Sequence, residues 1–213
     1  MIGKLVLGVT GNIASGKSTV VSILKELGAI HIDADLVYRE MVQAGEPLLA
    51  RLVDHFGREI IGSGGALDRR ALGKIVFADP AALRSLDEIT HPAIIAEIDR
   101  RVDAIAAGIV VIDAVKLIES GHAEHCDVIW VVAVDPEIQV TRLMNRNRLE
   151  EDEARRRVAA QPPMETKLTN ADRVIDNSGS LAATRGQVLD AWQALPVHLG
   201  PSPVELRGTL SNG

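Results

Sequence analysis

Apolar residues fall in short β-branched runs separated by amphipathic stretches, and this alternation predicts an α/β fold. Leu5 to Val9 is an unbroken apolar run of strand length, read as a buried first strand. A glycine-bearing turn follows, and Lys17 to Leu27 reads as a helix that Gly28 stops. Ile30 to Asp33 is a second short strand. Strand, turn, helix and strand in this succession make a βαβ unit, which requires a parallel sheet.

The periodicity then becomes helical. Asp35 to Val42 and Pro47 to Phe56 read as helices, and Gly62-Ser63-Gly64-Gly65 as a loop. Asp68 is placed to cap a helix with Leu72, Ile75 and Val76 on its apolar face. Asp79-Pro80 reads as an N-cap followed by proline at the first helical position. His91-Pro92 reads as a further helix start, running to about Ala106. This long stretch without strands predicts a helical excursion from the sheet. Strands return at Ile109 to Asp113, Val128 to Val134 and Arg173 to Asp176. Between and after them come a helix from Asp135-Pro136 carrying Val140, Leu143 and Met144, a charged helix over Glu150 to Ala160, and a last helix over Leu181 to Leu195. Residues 196–213 are rich in Pro, Gly and Ser and are expected to form a mobile tail.

Composition narrows the partners. The 213 residues are 46% hydrophobic, enough for one α/β domain with a helical subdomain, expected as a monomer or weak oligomer. The formal net charge of −6 argues against a general nucleic-acid binder, which needs basic surface to displace counterions. Aromatics at 2% leave few platforms for stacked bases. The single cysteine, Cys126, excludes an internal disulfide and fits a reducing cytoplasm. No signal-peptide pattern opens the chain, and no apolar stretch approaches the roughly 18 residues of a membrane span.

Gly11-Asn12-Ile13-Ala14-Ser15-Gly16-Lys17-Ser18, followed by Thr19, fits G-x-x-x-x-G-K-[ST] between a predicted strand and a predicted helix. Small residues keep side chains clear, so that backbone N–H groups can point at phosphate oxygens. The helix that starts here adds the positive end of its dipole. Lys17 can reach the β- and γ-phosphates of a nucleotide, and the Ser18 hydroxyl can ligate Mg²⁺, which leaves kinases, GTPases and ATPase motors all open. Ile32-Asp33-Ala34-Asp35 lies at a strand end, where ligands of open α/β sheets sit. One carboxylate can accept the proton of an acceptor hydroxyl, and the other can cap the next helix. The spacing assigns Asp33 to chemistry and Asp35 to the cap, because Asp35 directly precedes Leu36-Val37-Tyr38.

These motifs together resemble the dephospho-coenzyme A kinase family. GVTGNIASGKSTV, Gly28 and HIDADLVYRE carry the likeness first. HFGREII, LDRRALGKIVFADP, His91-Pro92, RLMNR, the Gln161 region and ADRVIDNSGSL extend it over roughly residues 4–192. The resemblance implies ATP, Mg²⁺ and transfer to the ribose 3′-hydroxyl of dephospho-CoA. It also implies a P-loop three-layer α/β fold like that of nucleoside monophosphate kinases, with a parallel central sheet, a helical substrate-binding subdomain and a short helical lid. On this chain the core is expected over 1–34 and 108–195, the acceptor-binding region over 35–107 and the lid over 146–168.

Carried over residue by residue, Asp33 matches the catalytic carboxylate. Arg39 stands where the family has an arginine near the substrate, and it can equally pair with Asp35 one helical turn before it. Asp113, ending a strand, is either a Mg²⁺ ligand or an ordinary strand-end acid. The loop after it departs from the usual Asp-x-Pro-Leu-Leu-x-Glu: Val115 stands at the proline, and Lys116 is an added charge that can meet a substrate phosphate. His91 is read either as a helix-start residue or as a substrate contact. Arg142 and Arg146 share one helix face and can place cations over the transferring phosphate. Arg155, Arg156 and Arg157 lie in the charged helix after that one, where a closing lid can bring them to the phosphate; for some of them the reading is a solvated face. The match suggests that Asn177-Ser178-Gly179 cups the adenine through its backbone. Two rivals stay in view. One is another small-molecule kinase, such as a nucleoside monophosphate kinase; the other is a non-enzymatic nucleotide switch, against which the lack of a guanine-reading NKxD segment argues.

Overall fold

In the computed structural model, which describes residues 3–196, the first apolar run forms β1 (Lys4–Thr10), buried at every position after Lys4. A strand covered on both faces needs no polar alternation, which is why this run is continuous. β1 pairs in parallel with β3 (Gly108–Asp113) on one side and β4 (Val128–Ala133) on the other. β4 in turn pairs in parallel with β5 (Arg173–Asp176). With β2 (Ile30–Asp33) beside β3, the sheet order is β2-β3-β1-β4-β5. The register sets Val9 against Asp113, so the last residue of β3 stands abreast of the chain as it enters the glycine loop.

α1 (Lys17–Glu26) and α9 (Leu181–Gln193) cover the sheet. Val20, Ile23 and Leu24 pack with Val188, Ala191, Trp130 and Ile175 in one core cluster. α6 (Pro136–Asn147) and α7 (Glu151–Ala159) form a second cluster around Val140, Leu143 and Ala154, against which Ile13 and Ala14 of the glycine loop pack. α8 (Met164–Leu168) is a short helix inside a stretch that the sequence pattern left undivided.

The described chain forms two compact units, one built on the sheet (to Ile32 and from Ile105) and one helical (Asp33–Ala104). In the helical unit, α2 (Ala34–Met41), α3 (Pro47–Phe56), α4 (Arg69–Ala78) and α5 (Pro80–Asp103) enclose Val42, Leu48, Leu52, Phe56, Ile60, Leu72 and Val76. Asp68 and Asp79 cap α4 and α5 as their positions predict, Asp68 accepting from the Arg70 and Ala71 N–H groups and Asp79 from the Ala81 N–H.

Two expectations are corrected here. His91-Pro92 does not begin a helix: both lie inside α5, a continuous 24-residue helix. Proline inside a helix costs about 3 kcal/mol, but Leu83, Leu86, Ile89 and Ala93 pack against the helical core around it and hold the turn in place. Packing thus outweighs a local breaker. Asp35 does not cap α2 either. Asp33 does, its Oδ1 accepting from the N–H groups of Asp35 (2.8 Å) and Leu36 (3.1 Å), while Asp35 sits exposed in the first turn. Either aspartate satisfies a capping rule by type; the backbone at Asp33, still extended at φ −94° and ψ 112°, decides between them.

The helical unit also holds a cavity of about 430 Å³ whose lining includes Met41, Leu48, Arg51, Glu97 and Arg101. Glu97 accepts from Arg100 and Arg101, and these two guanidiniums hold its carboxyl down to about 2. A carboxylate lowered in the folded state adds stability above its unfolded pKa, and that contribution fades as pH falls toward the folded value. The melting-temperature advantage of wild type over Glu97→Gln is therefore expected to be constant above about pH 5. It should shrink as pH falls through about 4.5 toward about 2. Melts of both proteins across that range check it. An advantage that does not change with pH would show the ion pairs to be without stabilising effect.

The segment after Pro196, expected to be a tail, lies outside the described residues. Among the described residues, no helix is long and apolar enough to cross a membrane.

Candidate active site

The loop between β1 and α1 is shaped by its two glycines. A Cβ on Gly11 would lie 2.6 Å from the Val132 carbonyl oxygen and 2.7 Å from Ser15 Oγ, so no side chain fits there. Gly16 has φ +88°, and a Cβ on it would lie 1.9 Å from Asn177 Nδ2. Gly16 is also the N-cap of α1 and offers no side-chain acceptor, so the first N–H groups of the helix have no side-chain cap. An uncapped helix start with its dipole facing outward is an anion site. Ala14, at φ 58°, shows that strain is tolerated in this loop even without glycine.

Several side chains brace the loop from below and beside it. Asn177 donates through Nδ2 to the Ser15 carbonyl (2.8 Å), and Thr184 Oγ1 donates to Asn177 Oδ1 (2.8 Å). Arg142 donates to the carbonyl oxygens of Asn177 (2.8 Å) and Ser15 (3.4 Å). Gln139 Nε2 donates to the Ile13 carbonyl (2.7 Å), and the Ile13 N–H donates to Gln161 Oε1 (3.2 Å). Asn12 Nδ2 donates to the Pro162 carbonyl (3.2 Å). Both Asn12 Oδ1 and Ser15 Oγ are buried without a hydrogen-bond partner among the described residues.

Gly16→Ala should expose this design. Forcing a side chain to φ +88° and into Asn177 costs about 1–3 kcal/mol of strain, equivalent, when the strain is met on binding, to about a 5- to 150-fold loss of nucleotide affinity. Calorimetric titration with ATP measures it. Unchanged affinity would mean that the loop does not need its left-handed residue.

Lys17 opens α1, and its Nζ pairs with Asp113 Oδ1; the two side chains are 17% and 11% exposed. His31 Nε2 lies 3.6 Å from Asp113 Oδ2. Ser18 is exposed and Thr19 half-buried on the first turn of α1, the Thr19 N–H donating to the Gly16 carbonyl. The structure thus brings together Gly11 to Thr19, Asp113, Arg142 and Asn177. Arg146, on α6, is exposed and donates to Asn147 Oδ1. Lys116 is exposed on the loop after β3.

Asp33, Asp35, Arg39 and His91 belong to the helical unit. Asp33 ends β2 and caps α2 through Oδ1. Arg39 makes no ion pair with Asp35 among the described residues; its carbonyl accepts from Gln43. His91 Nε2 lies 3.2 Å from Asp87 Oδ1, one turn earlier on α5. Arg155 bridges Glu137 on α6 and Glu151 on its own helix, while Arg156 and Arg157 share Glu153. All three are committed to surface ion pairs, as a solvated face would be.

Sequence reasoning did not single out His31, Gln139 or Thr10. His31 carried a usable signal, since residues 31 and 33 of a strand share one face. Gln139 and Thr10 carried none, because their partners lie 126 and 105 positions away.

Residues 5–183 match the family model described as dephospho-CoA kinase. The chain belongs to the dephospho-CoA kinase family. It is 47% identical over 192 residues to a dephospho-CoA kinase of Symbiobacterium thermophilum, covering 89% of this chain and 80% of that one. Among solved structures it superposes on the Thermus thermophilus protein TT1252 with a TM-score of 0.78 and 33% identity, over 90% of this chain and 97% of that one. It superposes on the dephospho-CoA kinase of Campylobacter jejuni with a TM-score of 0.65 and 30% identity, over 89% and 96%. The five-stranded sheet with its glycine loop is accordingly the P-loop kinase fold of dephospho-CoA kinases. On the loop after Asp113, the Val115 carbonyl accepts from both Thr10 Oγ1 (3.0 Å) and Lys167 Nζ (2.8 Å).

Proposed function

We propose that this chain transfers the γ-phosphoryl group of ATP to the ribose 3′-hydroxyl of dephospho-CoA, releasing CoA and ADP. One observation supports this most strongly: in a chain of this family, an uncapped helix start carries Lys17, and Lys17 meets the strand-end acid Asp113. Gly11, Asn12, Ile13, Ala14, Ser15, Gly16, Lys17, Ser18 and Thr19 hold the triphosphate through backbone N–H groups and the Lys17 ammonium. Lys17 stabilises charge that builds on the oxygen between the β- and γ-phosphates as the bond to the γ-phosphorus breaks. Arg142 and Arg146 add cationic charge on the ATP side, and Asn177 keeps the loop in shape beneath it. Asp33 accepts the proton of the attacking hydroxyl, and its Oδ2, not engaged in capping, is the oxygen free to do so.

Ser18 and Asp113 suit Mg²⁺ as hard oxygen donors, an exposed hydroxyl and a carboxylate flanking the phosphate cradle. A divalent ion held there with the phosphate oxygens would supply positive charge to the triphosphate. In the acceptor region over 35–107, Asp35, Arg39 and His91 contact dephospho-CoA, and Lys116 reaches one of its phosphates. Residues 146–168 serve as the lid, and the reaction takes place in the cytoplasm.

The test is purified protein with MgATP and a panel of acceptors, with product masses measured. Dephospho-CoA is expected to gain one phosphoryl group. Turnover of a nucleoside monophosphate in its place would assign the chain to a different acceptor.

A further inference from the structure

A lysine outside the phosphate cradle is buried to 1% exposure and has its full set of partners. Lys167, on α8, donates from Nζ to the Val115 carbonyl (2.8 Å) and to Glu119 Oε1 (2.7 Å) and Oε2 (2.9 Å). Three ammonium hydrogens meet three acceptors, so the charge is neutralised and every donor is used. Burying an ammonium still costs several kcal/mol, and an apolar residue of like volume commonly serves stability as well or better. The arrangement therefore calls for a reason other than stability.

Its partners supply one. Val115 and Glu119 mark the two ends of the turn that follows Asp113, so Lys167 pins that turn at both ends. The Val115 carbonyl also accepts from Thr10 Oγ1 (3.0 Å), the residue directly before Gly11. A few residues before Lys167, the same stretch of chain meets the phosphate loop itself: Gln161 Oε1 accepts from the Ile13 N–H and the Pro162 carbonyl from Asn12 Nδ2. Residues 161–167 thus touch the phosphate loop at one end and the acidic turn at the other.

We infer that Lys167 is a positioning residue for phosphoryl transfer, its ammonium fixing the turn after Asp113 and, through Val115 and Thr10, holding Asp113 in register with Lys17. The inference rests on the proposed kinase reaction. It assigns Lys167 no contact with ATP or acceptor. Losing its three bonds should misplace Asp113 without emptying the cradle.

Lys167→Met keeps the length of the stem and removes all three donors. The turnover number with ATP and dephospho-CoA is expected to fall about 10- to 100-fold, the size of effect that small misplacements of reacting groups produce. The dissociation constant for MgATP, measured by calorimetry, is expected to stay within about threefold. A residue serving stability alone would lower the fraction of nucleotide-binding protein and leave turnover per binding site unchanged, and that result overturns the inference. If Lys167→Met does not fold, Thr10→Val removes the other donor to Val115 and Glu119→Gln neutralises the ion pair with little change in volume. Turnover per site reduced about tenfold in Thr10→Val, with MgATP affinity kept, supports the inference. Both variants within twofold of wild type overturn it. Wild type is assayed alongside: if it fails to phosphorylate dephospho-CoA, the functional reading falls first, a result distinct from an active wild type matched by active variants.

Discussion

Lys17→Ala is expected to lose at least about 10³-fold in kcat/KM for ATP-dependent phosphorylation. Removing one preorganised donor from a site of developing negative charge costs about 10²–10³-fold in turnover. Lys17 carries a full charge rather than a dipole, and ground-state binding of the triphosphate is lost with it. The fold should survive. Lys17 is the first residue of α1, where alanine is a good helix former, and its side chain does not belong to the apolar core. The change also leaves Asp113 without its ammonium partner; His31, 3.6 Å from its other oxygen, remains as a neighbour. Steady-state kinetics beside a thermal melt separate the effects. A variant within tenfold of wild type would show that Lys17 does not meet the phosphates and that its pairing with Asp113 is structural.

Asp33→Asn is expected to lower turnover about 10²- to 10⁴-fold while ATP still binds. The structure makes this substitution cleaner than the sequence alone would allow. Asp33 caps α2 through Oδ1, and asparagine caps a helix about as well as aspartate, so the amide oxygen can keep the bonds to the Asp35 and Leu36 N–H groups. What asparagine cannot do is take a proton. Asp35→Asn gives the contrast: Asp35 is exposed and caps nothing, and its replacement is expected to raise the KM for dephospho-CoA, which it is proposed to contact, while turnover stays within about threefold. Near-normal turnover in Asp33→Asn would reduce Asp33 to a helix cap, whereas a loss of ATP binding equal to the loss of turnover would place it on the nucleotide instead.

The glycine loop and its strand–turn–helix setting were legible because their logic is local. Gly11 and Gly16 are demanded by clashes and backbone angles that the spacing already implies, and the apolar runs of β1, β3 and β4 announce a sheet covered on both faces. Caps at Asp68 and Asp79 followed from residue type next to an amphipathic run, and both accept backbone bonds as expected; the helix start read at Asp135-Pro136 is capped in the same way by Asp135. The same rule misplaced the cap of α2, since Asp33 and Asp35 are equivalent in type and differ in backbone angles. The proline rule misread α5: Pro92 itself is exposed, and the helix is held through it by Leu83, Leu86, Ile89 and Ala93, which pack on the core face.

Chain order and residue type thus established the family, the parallel α/β architecture and the phosphate loop, since each depends on interactions within one or two turns of chain. Folding over distance settled what surrounds that loop. Asp113 reaches Lys17 through the register of β3 on β1, Asn177 and Arg142 reach Ser15 from opposite ends of a long stretch, and Lys167 reaches Val115 across 52 positions. No local propensity encodes these contacts. They arise when separate apolar faces are buried together, and the polar groups carried along must find partners or lose their hydration uncompensated.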